Sequence, residues 1–184
     1  DRFERTLERL PVPRESLLVH AARSAAALRV RTFNADAVRP GIYLYGGHPA
    51  PELREGIVPP PRPVVSLRAR LLLVRDVPEG ATVGYGATQV ASAPARWGTI
   101  GIGYGDGLRR SLGNRGHAIV RGVKVPLIGR ISMDLSVVDL TAVPGARVGE
   151  VVTLIGTDGD VTISLEDVAD LAGTISYEIL TGLA

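Results

Sequence analysis

The sequence predicts two fold classes in succession: α/β over residues 1–60, then a mainly antiparallel β domain over residues 61–184. Three observations carry this. Short apolar runs alternate with helical patterns in the first sixty residues. A proline-dense stretch at residues 49–63, poor in apolar side chains, reads as a linker. Beyond it, short strand-like runs are divided by turn signals. A chain of 184 residues has room for one large domain or two small ones.

Taken in order, Phe3, Leu7 and Leu10 recur at helical spacing among charged neighbours, so residues 2–10 read as an amphipathic helix stopped by Pro11 and Pro13. Leu17-Leu18-Val19 is a continuous apolar run that suits a buried strand. Ala25 to Leu28 is helical, with Ser24 at the N-cap position. Gly41 to Gly46 reads as a second buried strand, entered through Val38-Arg39-Pro40. Two such units are too few for a closed (β/α)8 barrel, which takes roughly 250 residues. The segment therefore reads as the α/β remnant of such a barrel, its beginning absent.

After the linker, strands are expected at residues 64–77, 81–83, 97–104, 135–140 and 151–155. Ala118-Ile119-Val120 and Val123-Lys124-Val125 form a hairpin around Arg121-Gly122. The single helix expected here is Leu165 to Ala172, starting after Ser164 with Glu166 and Asp167 in its first turn, where they complement the helix dipole.

Composition narrows the function. Hydrophobic residues at 45% and charged ones at 22% suit a soluble globular protein. Twenty-one basic against nineteen acidic side chains, net +2, give no electrostatic case for nucleic acid. The basic side is almost wholly arginine, and Lys124 is the sole lysine. The absence of cysteine excludes disulfides and thiol chemistry. His20, His48 and His117 lack metal-ligand spacing, so no metal is expected. No apolar run is long enough to span a membrane and the first residues do not resemble a signal peptide, so a cytoplasmic protein is expected.

Gly84-Tyr85-Gly86-Ala87-Thr88 stands out, because flanking glycines let a tyrosine present its hydroxyl to a site. A free tyrosine titrates near pH 10, so one acting as a base relies on positive neighbours. The alternating glycines from Gly101 to Gly107 have the wrong spacing for a dinucleotide fingerprint.

Six segments, in order, resemble the alanine racemase family: His20-Ala-Ala-Arg-Ser24, Val38 to Gly46, Gly84 to Thr88, Gly103-Tyr104-Gly105-Asp106-Gly107, Gly129-Arg130-Ile131-Ser132-Met133-Asp134 and Gly173 to Glu178. The resemblance implies the end of a barrel holding pyridoxal 5′-phosphate (PLP), followed by the family's C-terminal β domain. It implies an isomerase that interconverts L- and D-alanine with two bases, supplies D-alanine as a peptidoglycan precursor, and works as a homodimer sharing its active sites. By resemblance Tyr85 is the base for L-alanine. Ser24, Gly41 and Ile42 hold the cofactor phosphate, Arg39 meets the pyridine nitrogen, and His20 orients Arg39. Met133 binds the substrate carboxylate through its main-chain N–H, and Tyr104, Arg110 and Arg130 line the substrate entrance. The lysine to which relatives attach the cofactor corresponds to nothing here, Lys124 included, so the chain alone is expected to be inactive. Two alternatives stand beside this: a non-catalytic dimerisation or binding module derived from the racemase, and a racemase for serine or a broader range of amino acids.

Overall fold

The computed structural model describes residues 2–54 and 59–183. The chain divides into two compact units, one of Asp1–Leu44 with His48–Pro61 and one of Tyr45–Gly47 with Arg62–Ala184.

Unit one begins with α1 (Arg2–Leu7), shorter than the expected 2–10. Its last turns tighten as Arg9 and Leu10 donate to the carbonyls of Thr6 and Leu7, and Pro11 and Pro13 bar continuation. The strand expected at Leu17–Val19 instead starts one residue beyond it, as β1 (His20–Arg23), which pairs in parallel with β2 (Ala37–Arg39). Val19 is held by the loop, not by a ladder: its N–H donates to Asp36 Oδ2 at 2.8 Å and its carbonyl accepts from Asp36 and Ala37. Helix α2 (Ser24–Arg29) follows β1, and its N-cap is Arg23, with Ser24 as the first helical residue. The second expected strand, 41–46, is a 3-10 turn over Ile42–Tyr45. Pro40 has no N–H to donate, so the ladder stops at Arg39 and the chain turns. In the proline-dense stretch Pro51–Leu53 forms another 3-10 turn, and residues 55–58 lie outside the described residues.

Unit two holds β3 (Leu67–Val77), β4 (Thr82–Val83), β5 (Gln89–Val90), β6 (Ala95–Ile100), β7 (His117–Val120), β8 (Val123–Ile128), β9 (Ser136–Asp139), β10 (Val151–Asp158) and β11 (Val161–Ile163). The order β10-β3-β6-β9-β8-β7 closes into an antiparallel barrel where Thr153 of β10 meets Ile119 of β7, and β11 extends the outer edge of β10. Leu71, Ile100, Ile119, Val138, Leu140 and Val152 are fully buried. Closure removes the edges that an open sheet leaves unpaired.

The hairpin at Arg121-Gly122 is present, both residues taking positive φ. Lys124 lies exposed on strand β8. The strand expected over 97–104 ends at Ile100; Asp106 Oδ2 accepts from the Gly103 N–H at 2.9 Å and folds Tyr104–Asp106 into a 3-10 turn. Helix α3 (Leu165–Ala172) matches expectation, with a reciprocal cap between Ser164 and Asp167. A further helix, α4 (Ser176–Gly182), corrects the expectation of one. It is anchored from afar: Ser176 Oγ donates to Glu166, and Arg109 Nη2 donates to the Glu178 carbonyl at 2.7 Å.

Candidate functional site

In unit one, the parallel register sets Arg23 beside Arg39 at the ends of β1 and β2. Arg39 Nη2 donates to the Ala21 carbonyl at 3.0 Å, one residue along from His20. Ser24, 3% exposed, accepts the Gly41 N–H on its Oγ at 2.8 Å. Buried Ile42 follows Gly41 at the start of the turn. A side chain at Gly41 would meet no atom within 4 Å, so the space beside this backbone is open. The Ser24 hydroxyl and the backbone of Gly41 and Ile42 thus lie together beside open space, and a hydroxyl with neighbouring backbone N–H groups is a donor set that suits a phosphate. The ladder beneath is fastened by Asp36, whose carboxyl is held below its usual range by the Val19 N–H and then by Arg14, paired at 2.7 Å.

In unit two, Tyr85 is 69% exposed on a loop leading from β4 to β5. Gly84 and Gly86 have φ of 77° and 74°, and Ala87 follows at 47°. A Cβ at Gly84 would come within 2.7 Å of the Arg130 backbone nitrogen, so only glycine supports both the turn and this approach. One side of the Arg130 guanidinium rests against Gly86, bringing a positive charge to the tyrosine loop.

Arg130 leads to Ser132 and Met133, whose carbonyls accept the N–H groups of Tyr104 at 2.9 Å and Gly105 at 2.8 Å. Gly103 is required by proximity: a Cβ there would lie 2.2 Å from the Met133 oxygen. The Met133 N–H donates to none of the described residues. Arg110 opens a short 3-10 turn whose next residue, Gly113, packs on the Gly129 carbonyl and Arg130. Tyr85, Tyr104, Arg110, Arg130 and Met133 therefore belong to one connected group of loops. The polar tie within that group, Asn114, escaped sequence reading; its left-handed φ of 61° in Gly113-Asn114-Arg115-Gly116 is the kind of turn signal that could have marked it.

His117 sits on β7 with its imidazole held below the usual value, chiefly by burial and secondarily by Lys124. Among the described residues no cluster of His, Cys, Asp or Glu could hold a metal ion, and no helix is long and apolar enough to cross a membrane.

Residues 64–184 match the family described as alanine racemase, C-terminal domain, and residues 1–49 match alanine racemase, N-terminal domain. The chain is 44% identical over 169 residues to the alanine racemase of Sorangium cellulosum, covering 90% of this chain and 44% of the relative. To that of Halothermothrix orenii it is 39% identical, covering 100% of this chain and 48% of the relative. The crystal structure of the Bacillus anthracis enzyme with bound L-Ala-P superposes with a TM-score of 0.90 at 34% identity, covering 100% of this chain and 47% of that one. The Bartonella henselae enzyme, solved with covalently bound pyridoxal phosphate, gives 0.82 at 36% identity, covering 99% and 48%. The chain thus spans about half the length of the relatives it matches. With residues 1–49 and 64–184 matched in order by the two family domains, the chain belongs to the alanine racemase family.

Proposed function

We propose that this chain supplies the phosphate cradle and the tyrosine-bearing β domain of a PLP-dependent alanine racemase. The observation that carries the reading is the connected group of loops around Tyr85, in a chain whose two parts match the two racemase domains. Ser24 and the N–H groups of Gly41 and Ile42 hold the cofactor phosphate, and Arg39 faces the pyridine nitrogen with His20 beside it. When bound, PLP withdraws electrons from the substrate α-carbon. An arginine at the ring nitrogen has no proton to give near neutral pH and leaves that nitrogen unprotonated. The Met133 N–H binds the alanine carboxylate, and Tyr104, Arg110 and Arg130 line its approach.

As the base on the L face, the Tyr85 oxygen takes the α-proton of L-alanine; a lysine such as the one to which relatives attach the cofactor returns a proton to the opposite face. In the D-to-L direction Tyr85 gives its proton back. Removal and return on opposite faces invert the carbon without net proton change. By the family resemblance the enzyme works as a homodimer, in which Tyr85 and Met133 serve the cofactor held by the partner subunit.

The test is reconstitution. The chain with PLP alone should not exchange the alanine α-hydrogen, whereas adding the upstream barrel half of a relative in trans should yield D-alanine. Tyr85→Phe in that complex should lower the rate about 10²- to 10⁴-fold. Turnover by the chain alone, or a Tyr85→Phe complex as fast as the parent, would overturn the reading.

A further inference from the structure

Loop Gly84–Thr88 is held at its two ends by different means. At its start, Gly84 lies against the Arg130 backbone, and the Cβ position of Gly129 is 3.0 Å from the Val83 carbonyl. Its middle closes on itself, the Ala87 N–H donating to the Gly84 carbonyl at 3.2 Å. Ala87 sits at φ 47°, a conformation that a residue with a Cβ keeps only where its surroundings impose it. At its end, Thr88 Oγ1 accepts from Asn114 Nδ2 at 3.3 Å. Asn114 Oδ1 in turn accepts the Gly129 N–H at 2.5 Å.

The amide's orientation follows from chemistry. The Gly129 N–H can only donate, so the atom facing it is the oxygen, which leaves the NH2 group facing the Thr88 hydroxyl. Among the described residues, Asn114 is the one side chain hydrogen-bonded to residues 84–88. It joins the tyrosine loop to the segment that continues through Arg130 to Met133.

The geometry points to Asn114 as a positioning residue that sets the Tyr85 loop in register with the Gly129–Met133 segment. The inference rests on Tyr85 being the L-face base. Asn114 touches no reacting atom; it fixes where the Tyr85 oxygen stands relative to the Met133 N–H that holds the substrate. A base displaced by loosening of its loop transfers its proton more slowly, and the opposite base is untouched.

The test has two arms. On the 184-residue chain, amide hydrogen exchange is followed in Asn114→Gly, which keeps the left-handed backbone but removes the amide, and in Thr88→Val. Exchange of the Ala87 amide, the loop N–H with a described acceptor, should quicken about fivefold to tenfold in each. The double variant should be no faster than Asn114→Gly, and β3, β6 and β10 should keep their protection. Asn114→Asp should restore the parent rate, since Thr88 can then donate to the carboxylate. Unchanged exchange in the loop, or faster exchange throughout the unit, would overturn the inference. In the reconstituted racemase, Asn114→Gly should raise the primary isotope effect for α-deuterated L-alanine and not for D-alanine; equal changes for both would also overturn it. If the parent complex forms no D-alanine, the racemase reading falls and the exchange arm alone decides whether Asn114 holds the loop.

Discussion

In unit two each of the six barrel strands has a partner on both sides, and side chains such as Leu71 and Ile100 are wholly enclosed. Unit one rests on one parallel ladder of two short strands and leaves Leu18, Phe33 and Leu44 at the surface. Parallel strands need cover on both faces, whereas an antiparallel barrel encloses its own core. The candidate residues of the two units differ accordingly. The cradle in unit one depends on a few contacts such as Gly41 N–H to Ser24 Oγ, while the Tyr85 loops hang from a closed sheet.

The largest test of this contrast is a pair of leucines. Leu71→Ala, at a fully buried position, should destabilise the chain by about 2–5 kcal/mol in urea unfolding. Leu18→Ala, at a position 73% exposed, should stay within about 0.5 kcal/mol. Similar losses from both would mean that unit one shares the cooperative core of unit two.

A smaller effect is expected at the cradle. Ser24→Ala should weaken PLP binding by about 1.5–3 kcal/mol, roughly ten- to hundredfold, and leave pyridoxal unaffected, since in the proposed cradle only the phosphate meets the hydroxyl. Titrating both compounds against parent and variant separates this from general damage, which would weaken both alike.

The smallest effect concerns pH and should be confined to unit two. The folded state holds His117 below its ordinary value of 6.5, so the unfolded chain takes up the proton first as pH falls. Its contribution is therefore fully present above pH 6.5 and is lost as pH drops toward the folded value. Lys124→Met removes the lesser of the two causes, so it should only partly reduce that loss in denaturation midpoints taken above and below pH 6.5. A steeper loss in the variant would reverse the assigned direction.

Legibility in the sequence tracked how local each signal was. Helix α3 could be bounded from Ser164, the acidic first turn and Gly173, because its caps are made by neighbours a few residues away. The Arg121-Gly122 hairpin was equally local. Leu17–Val19 and Gly41–Gly46 misled, because an apolar run says neither which backbone pairs nor which side chains are covered: Leu18 and Leu44 stay exposed, and Asp36 and Pro40 decided the pairing. Helix α4 was missed because its anchors, Glu166 and Arg109, lie far away in sequence.

By itself the sequence determined the order of an α/β segment and a β domain, the six family segments and the chemistry each could carry. Only the tertiary structure decided that the barrel closes through Thr153 and Ile119, and that Arg130 lies against Gly86. It alone joined Asn114 to both Thr88 and Gly129. Residue types fix which donors, acceptors and turns are available, but contacts between loops far apart in sequence exist only once closure of the sheet brings their ends together.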